Sequence, residues 1–190
     1  YSLDGGKTFT QVNERQGAYK ISVEPQFRDQ LALRATDKAG NSNNVTAEEV
    51  IVVDDKAPVV EVAYDNNNAL YDNYYDADRT ATITITEANF FTADQADGYL
   101  VITVGKTLND GTHTETVVQP TFTSNGDIHT ATVKFDENAD YTFDIKYTDR
   151  SGNVFDSYEM DEFTIDKIAP VIDITYSNNT AKNSDQFQAD

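Results

Sequence analysis

Laid against itself at an offset of 112 residues, the chain matches without a gap over residues that fill and punctuate strands. Leu31-Ala32-Leu33-Arg34-Ala35-Thr36-Asp37-Lys38-Ala39-Gly40-Asn41 falls on Phe143-Asp144-Ile145-Lys146-Tyr147-Thr148-Asp149-Arg150-Ser151-Gly152-Asn153. Ala57 to Tyr64 falls on Ala169 to Tyr176, and the Asn-rich tract 66 to 68 falls on Asn178-Asn179-Thr180. A repeat this long is far beyond a solenoid unit, so each copy must enclose a core of its own. Pro58 and Pro170 each follow a short acidic segment and open a strand, where a missing amide donor is tolerated. The expected division is residues 1–54 as the back part of one unit, 55–167 as a complete unit and 168–190 as the first strand of another. Residues 1–54 then lack the opening strands of their unit, and strand 170–177 of a second molecule is expected to fill such a gap.

Within the complete unit the apolar residues recur with period two. In Thr80-Ala81-Thr82-Ile83-Thr84-Ile85-Thr86 the threonines share one side and Ala81, Ile83 and Ile85 the other. A strand with one dry face needs a second sheet to cover it. Comparable segments are Val59 to Tyr64, Tyr99 to Val104, Thr116 to Phe122, His129 to Phe135, Tyr141 to Thr148 and Ser157 to Ile165. Asn109-Asp110-Gly111 and Asn125-Gly126-Asp127 supply turn residues between them. Short strands at this spacing predict an all-β fold, an antiparallel two-sheet β-sandwich. The chain has no cysteine, so packing alone must hold it, and disulfide staples, thiolate metal sites and cysteine nucleophiles are excluded.

A formal net charge of −19 repels nucleic acid phosphates and anionic lipid headgroups, so neither is an expected partner. No apolar run approaches the roughly 18 residues needed to cross a bilayer, so direct membrane insertion is not expected. The first residues, Tyr1-Ser2-Leu3-Asp4, lack the basic and apolar regions of a signal peptide, and the chain is expected to be an excised fragment.

The segments Asp149-Arg150-Ser151-Gly152-Asn153 and Phe163-Thr164-Ile165-Asp166-Lys167-Ile168-Ala169-Pro170 resemble the signature of bacterial immunoglobulin-like (Big-type) tandem repeat domains of Gram-positive cell-surface proteins. Tyr74 to Phe90 looks like the second-strand motif of one such family, and Tyr1 to Thr8 is similar to a strand and turn of other bacterial surface modules. The resemblance implies a tandem array of Ig-like domains, extracellular on the bacterial cell surface, acting as a structural stalk or spacer of a multi-domain adhesin. Its neighbours would be further Ig-like domains of the same chain. Glu137 to Phe143 has the spacing of a tyrosine corner, with Tyr141 locking a loop through its hydroxyl.

Chemistry-bearing groups are sparse. His113 and His129 are the only histidines, expected to be solvated, and neither HExxH nor GxSxG spacing occurs. No catalytic residues and no cofactor are expected, and the chain reads as a non-enzyme. Calcium is the one cation the composition suits, because hard cations take clustered oxygens. A linker entering a sandwich at its B–C and F–G loops should bring Asp54 and Asp55 toward Glu87, Asn89, Asp149 and Asn153, with Lys56 and Arg150 neutralising part of the field. An isopeptide cross-link is not expected, because alternation points Lys134 and Lys146 outward. The rival function is ligand binding: Tyr71, Tyr74 and Tyr75 lie among Asp and Asn residues suited to a host glycan or glycoprotein.

Overall fold

The computed structural model describes residues 1–12, 18–156 and 158–176. The tract Asn178-Asn179-Thr180 and the last residue of the expected strand 170–177 lie outside the described residues. In chain order the strands are β1 (Phe27–Asp29), β2 (Ala32–Thr36), β3 (Ser42–Thr46), β4 (Ile51–Val53), β5 (Val59–Tyr64), β6 (Tyr74–Tyr75) and β7 (Arg79–Thr86). They continue as β8 (Leu100–Leu108), β9 (His113–Val118), β10 (Thr123–Asn125), β11 (Ile128–Phe135), β12 (Ala139–Thr148), β13 (Val154–Phe155) and β14 (Asp161–Ile165).

Residues 58–166 form two sheets over one core. The smaller runs β10-β11-β7-β5; the larger runs β6-β14-β12-β8-β9, with β13 on β12. All pairings are antiparallel except β6 with β14, which is parallel. β-branched residues suit the pleat, and alternation sorts them: Ala81, Ile83 and Ile85 of β7 are fully buried while Thr82 and Thr86 are exposed. They meet Phe143, Ile145 and Tyr147 of β12, Ile102 of β8 and Phe163 of β14 in a single apolar cluster. Aromatic rings fill the end far from β1–β4, where Phe135 packs edge-on against Tyr141, Phe143 and Phe163. Arg79, the first inward position of β7, is buried there with its guanidinium carbon 3.8 Å from the Tyr64 ring centre and 4.1 Å from that of Tyr75. The tyrosine corner forms as expected: the Tyr141 hydroxyl donates to the Glu137 carbonyl (3.3 Å) and accepts from the Glu137 amide (3.2 Å).

Three expected strands depart from their limits by more than two residues. β8 runs on to Leu108. β9 occupies residues 113–118, ahead of Pro120, whose ring forbids ladder pairing, and Phe122 enters the core from a loop. The segment expected from Ser157 starts later, as β14 at Asp161, and a separate short strand, β13, ends before it at Phe155.

The 112-residue offset reappears in backbone geometry. β1 pairs β4 as Phe27↔Val53 and Asp29↔Ile51, and β12 pairs β14 as Ala139↔Ile165 and Tyr141↔Phe163. Thr36 opposes Ser42 as Thr148 opposes Val154. The turns between them bond identically: Asp37 Oδ1 accepts from the amides of Ala39 and Asn41 and Oδ2 from Asn41 Nδ2, and Asp149 does the same with Ser151 and Asn153. Gly40 and Gly152, at φ of 90° and 91°, take the left-handed conformation that this turn demands. The offset fails nearer the start, where Ser2 opposes Ala32 while Thr103 opposes Asp144. Residues 170–176 form no strand, and Val171, Ile172, Ile174 and Tyr176 are exposed.

Candidate functional site

Alternation carries polar residues into the mouth of the core at the end nearest β1–β4. The inward residues of β7 are Ala81, Ile83 and Ile85, and the next inward position is Glu87; those of β12 end at Tyr147, and the next is Asp149. Both carboxylates are buried, at 5 % and 2 % exposure. The linker after β4 delivers Asp54 to the same place, and one ligand oxygen from each of Asp54, Glu87 and Asp149 lies within 4.8 Å of the others.

Three carboxylates at this separation repel one another unless hydrogen bonds, a proton or a cation intervene. Hydrogen bonds supply much of the relief. Asp54 Oδ2 accepts from Asn89 Nδ2 (2.7 Å), and its Oδ1 from Gln26 Nε2 (2.7 Å) and the Lys56 amide (3.1 Å). Glu87 Oε1 accepts from the Asn89 amide (2.7 Å), and Asn153 Nδ2 reaches both Asp149 Oδ2 (2.8 Å) and the Asp54 carbonyl (3.2 Å). Burial pushes the Glu87 carboxyl above its ordinary pKa, and the charges of Asp54 and Asp149 add to the rise. For Asp54 burial acts in the same upward sense, but the donors Asn89 and Gln26 outweigh it and hold that carboxyl below its ordinary value.

The linker thus meets the loops after β7 and β12: of the six expected oxygen ligands, Asp54, Glu87 and Asp149 converge by their oxygens, while Asn89 and Asn153 turn their amide Nδ2 toward the carboxylates. Asp55, the sixth, stands aside from the carboxylate cluster and accepts from Gln26 (3.1 Å). Arg150 turns away to bond Asp94 and Asp97, at 2.8 Å each. Residues before the linker also grip the far side: Arg28 donates to the Ala88 carbonyl (3.3 Å) and to Asn89 Oδ1 (3.2 Å), and its guanidinium lies 5.8 Å from the Phe91 ring centre.

His129 is buried, contrary to the expectation of solvent exposure, because it continues the inward series Phe135, Val133, Ala131. It stacks on Phe90 and bonds the Glu87 carbonyl through Nε2 (2.8 Å) and Ser124 Oγ through Nδ1 (2.7 Å). A carbonyl only accepts, so Nε2 carries a proton. Asp94, unsuspected from sequence, is fully buried and accepts from the Tyr147 hydroxyl (2.8 Å) as well as from Arg150.

The tyrosine group divides. Tyr75 is 9 % exposed and packs edge-on against Phe163 inside the core, which removes it from any ligand-facing set. Tyr71 and Tyr74 are 79 % and 48 % exposed and oppose each other across a β-bridge.

No family model, curated protein or solved structure matches the chain. Two sheets, antiparallel except for the β6–β14 pair, around one core define an all-β, sandwich-like protein, and among the described residues no helix is long and apolar enough to cross a membrane.

Proposed function

We propose that the chain is a spacer segment of a bacterial cell-surface adhesin, in which successive Ig-like sandwiches are joined at fixed angles to hold a distal binding region away from the cell. The observation that carries the reading is the grip on the linker. Asp54 is bonded by Gln26 from the preceding segment and by Asn89 and Asn153 from two loops of the following sandwich, while Arg28 crosses the junction directly. A tether between independent modules has no need of such bonds; a stiff joint does. The sheet orders β5-β7-β11-β10 and β14-β12-β8-β9 support the Ig-like assignment, since they correspond to strands A-B-E-D against G-F-C-C′. The 112-residue recurrence of strand register and turn bonds supports the tandem array. High negative charge suits an extracellular rod that must stay soluble and apart from its neighbours.

The chain contains no cysteine, so Lys38→Cys and Thr132→Cys accept spin labels uniquely on either side of the junction. Electron–electron resonance should return one narrow distance distribution. A broad one would remove the basis for a stiff joint.

A second reading places calcium among Asp54, Glu87 and Asp149, on the observation that their oxygens converge within 4.8 Å at the joint. A melting temperature that rises at millimolar calcium, reverses with chelator and stops responding in Glu87→Gln would support it. No response in the parent chain would end it.

A further inference from the structure

The spacer role leaves unused the tyrosine pair at the edge of the larger sheet. Residues 70–74 make a tight turn closed by the Leu70 amide to the Tyr74 carbonyl (2.9 Å) and the Tyr74 amide to the Tyr71 carbonyl (2.9 Å). Asn73 fastens it to β14, donating from Nδ2 to the Glu162 carbonyl (3.0 Å) and accepting the Thr164 amide (3.0 Å). Asp72 holds φ at 51°, the left-handed conformation that aspartate adopts readily in tight turns. Opposed residues of a bridge project to one face with Cβ atoms about 5 Å apart, so Tyr71 and Tyr74 stand as neighbours on one exposed face. Rigid backbone removes most of the ordering cost that loosely held side chains would meet on binding.

We propose that Tyr71 and Tyr74 form a stacking platform for the apolar face of a neutral pyranose, a binding site separate from the junction and additional to the spacer role. Size and charge select that ligand. With Tyr71 79 % and Tyr74 48 % exposed, the two side chains offer about 200–300 Å², against about 800 Å² per partner in a stable protein interface, which fits a sugar ring and falls short of a folded protein. Asp65, Asp72 and Asp76 flank the pair, whereas Asp78 is matched by Lys134 and Lys167, so carboxylated, sulfated and phosphorylated sugars meet repulsion from the first three. Carboxylate and amide oxygens beside the rings, as at Asp72 and Asn73, are acceptors for sugar hydroxyls. A ligand this small binds at about millimolar dissociation constant.

The test is an amide-resolved NMR titration of the 190-residue chain with methyl β-glucoside, methyl β-galactoside and cellobiose, each to about 100 mM, with glucuronic acid and N-acetylneuraminic acid as charged counterparts. Saturable shifts confined to residues 70–74 and Thr164 are expected with at least one neutral sugar. They should weaken about tenfold in Tyr71→Ala and Tyr74→Ala and persist in the Phe variants, which keep the ring. Both side chains are exposed, so the remaining amides should hold their positions and report an intact fold. Flat titrations with all neutral sugars, shifts that survive both alanine variants, or equal binding of the acidic sugars would each overturn the proposal, and none of these outcomes touches the junction.

Discussion

Replacing Asn89 by alanine should loosen the joint without unfolding the sandwich. Its side chain makes two bonds across the junction, Nδ2 to Asp54 Oδ2 at 2.7 Å and Oδ1 from Arg28 at 3.2 Å, each with a charged partner. Hydrogen bonds to charged groups contribute about 1.5–3 kcal/mol apiece when shielded, and these are partly wet, so about 2 kcal/mol for the pair is a fair figure. That is about a 30-fold change in the docked-to-undocked ratio, enough to turn about 99:1 into about 3:1. Two hydrogen bonds remain, Arg28 to the Ala88 carbonyl and Asn153 to the Asp54 carbonyl, beside the Arg28 guanidinium over the Phe91 ring, which is why docking weakens and is not abolished. Asn89 lies beyond the end of β7, so the melting temperature of the sandwich should move by no more than about 2 °C. Spin labels at Lys38→Cys and Thr132→Cys would show the single distance of the parent acquiring a broad second population. An unchanged distribution in Asn89→Ala would refute the claim that these bonds set the angle.

Ile83→Ala empties the centre of the core, where Ile83 is fully buried, and should cost about 2–5 kcal/mol in denaturant unfolding, whereas Thr82→Ala on the wet face should stay within about 0.5 kcal/mol; equal effects would contradict the two-faced strand. Tyr141→Phe removes both corner bonds while keeping the ring, and should destabilise the chain by about 1 kcal/mol with the contacts of Phe135 intact in the aromatic NMR spectrum. Alkaline pH should unfold the chain. Burial, together with bonds to Asp161 and Asp94, raises the Tyr64, Tyr147 and Tyr158 phenols above their ordinary 10.0, so their contribution is complete below that pH and is lost as pH climbs past it. Phenolate absorbance from these residues should therefore appear together with the loss of the β-sheet circular dichroism; ionisation well before unfolding would show the phenols to be accessible.

Strand parity made the core legible, and the same parity reached further than residue type suggested. Ala81, Ile83 and Ile85 were readable as inward because they are apolar; Glu87, two residues on, obeys the same geometry, as do Asp149 after Tyr147 and His129 before Ala131. Reading polarity as a sign of exposure conceals such residues, although the backbone has already fixed their direction by the time the strand ends. That is why His129 was expected in water and lies stacked on Phe90. Asp94 had no such signal: its partners Tyr147 and Arg150 are 53 and 56 residues away and are brought to it only when a one-turn helix closes over the sheet. Tyr74 and Tyr75 divide because neighbours on a strand face opposite ways, so adjacent tyrosines cannot both serve one surface. Polar residues that continue an inward series lie at the ends of a sandwich, where the core meets water and the linker arrives. In Asp54, Glu87, Asn89, Asp149 and Asn153 the alternation that builds the core also builds the joint, which is how local period-two patterning comes to specify the geometry between one sandwich and the segment before it.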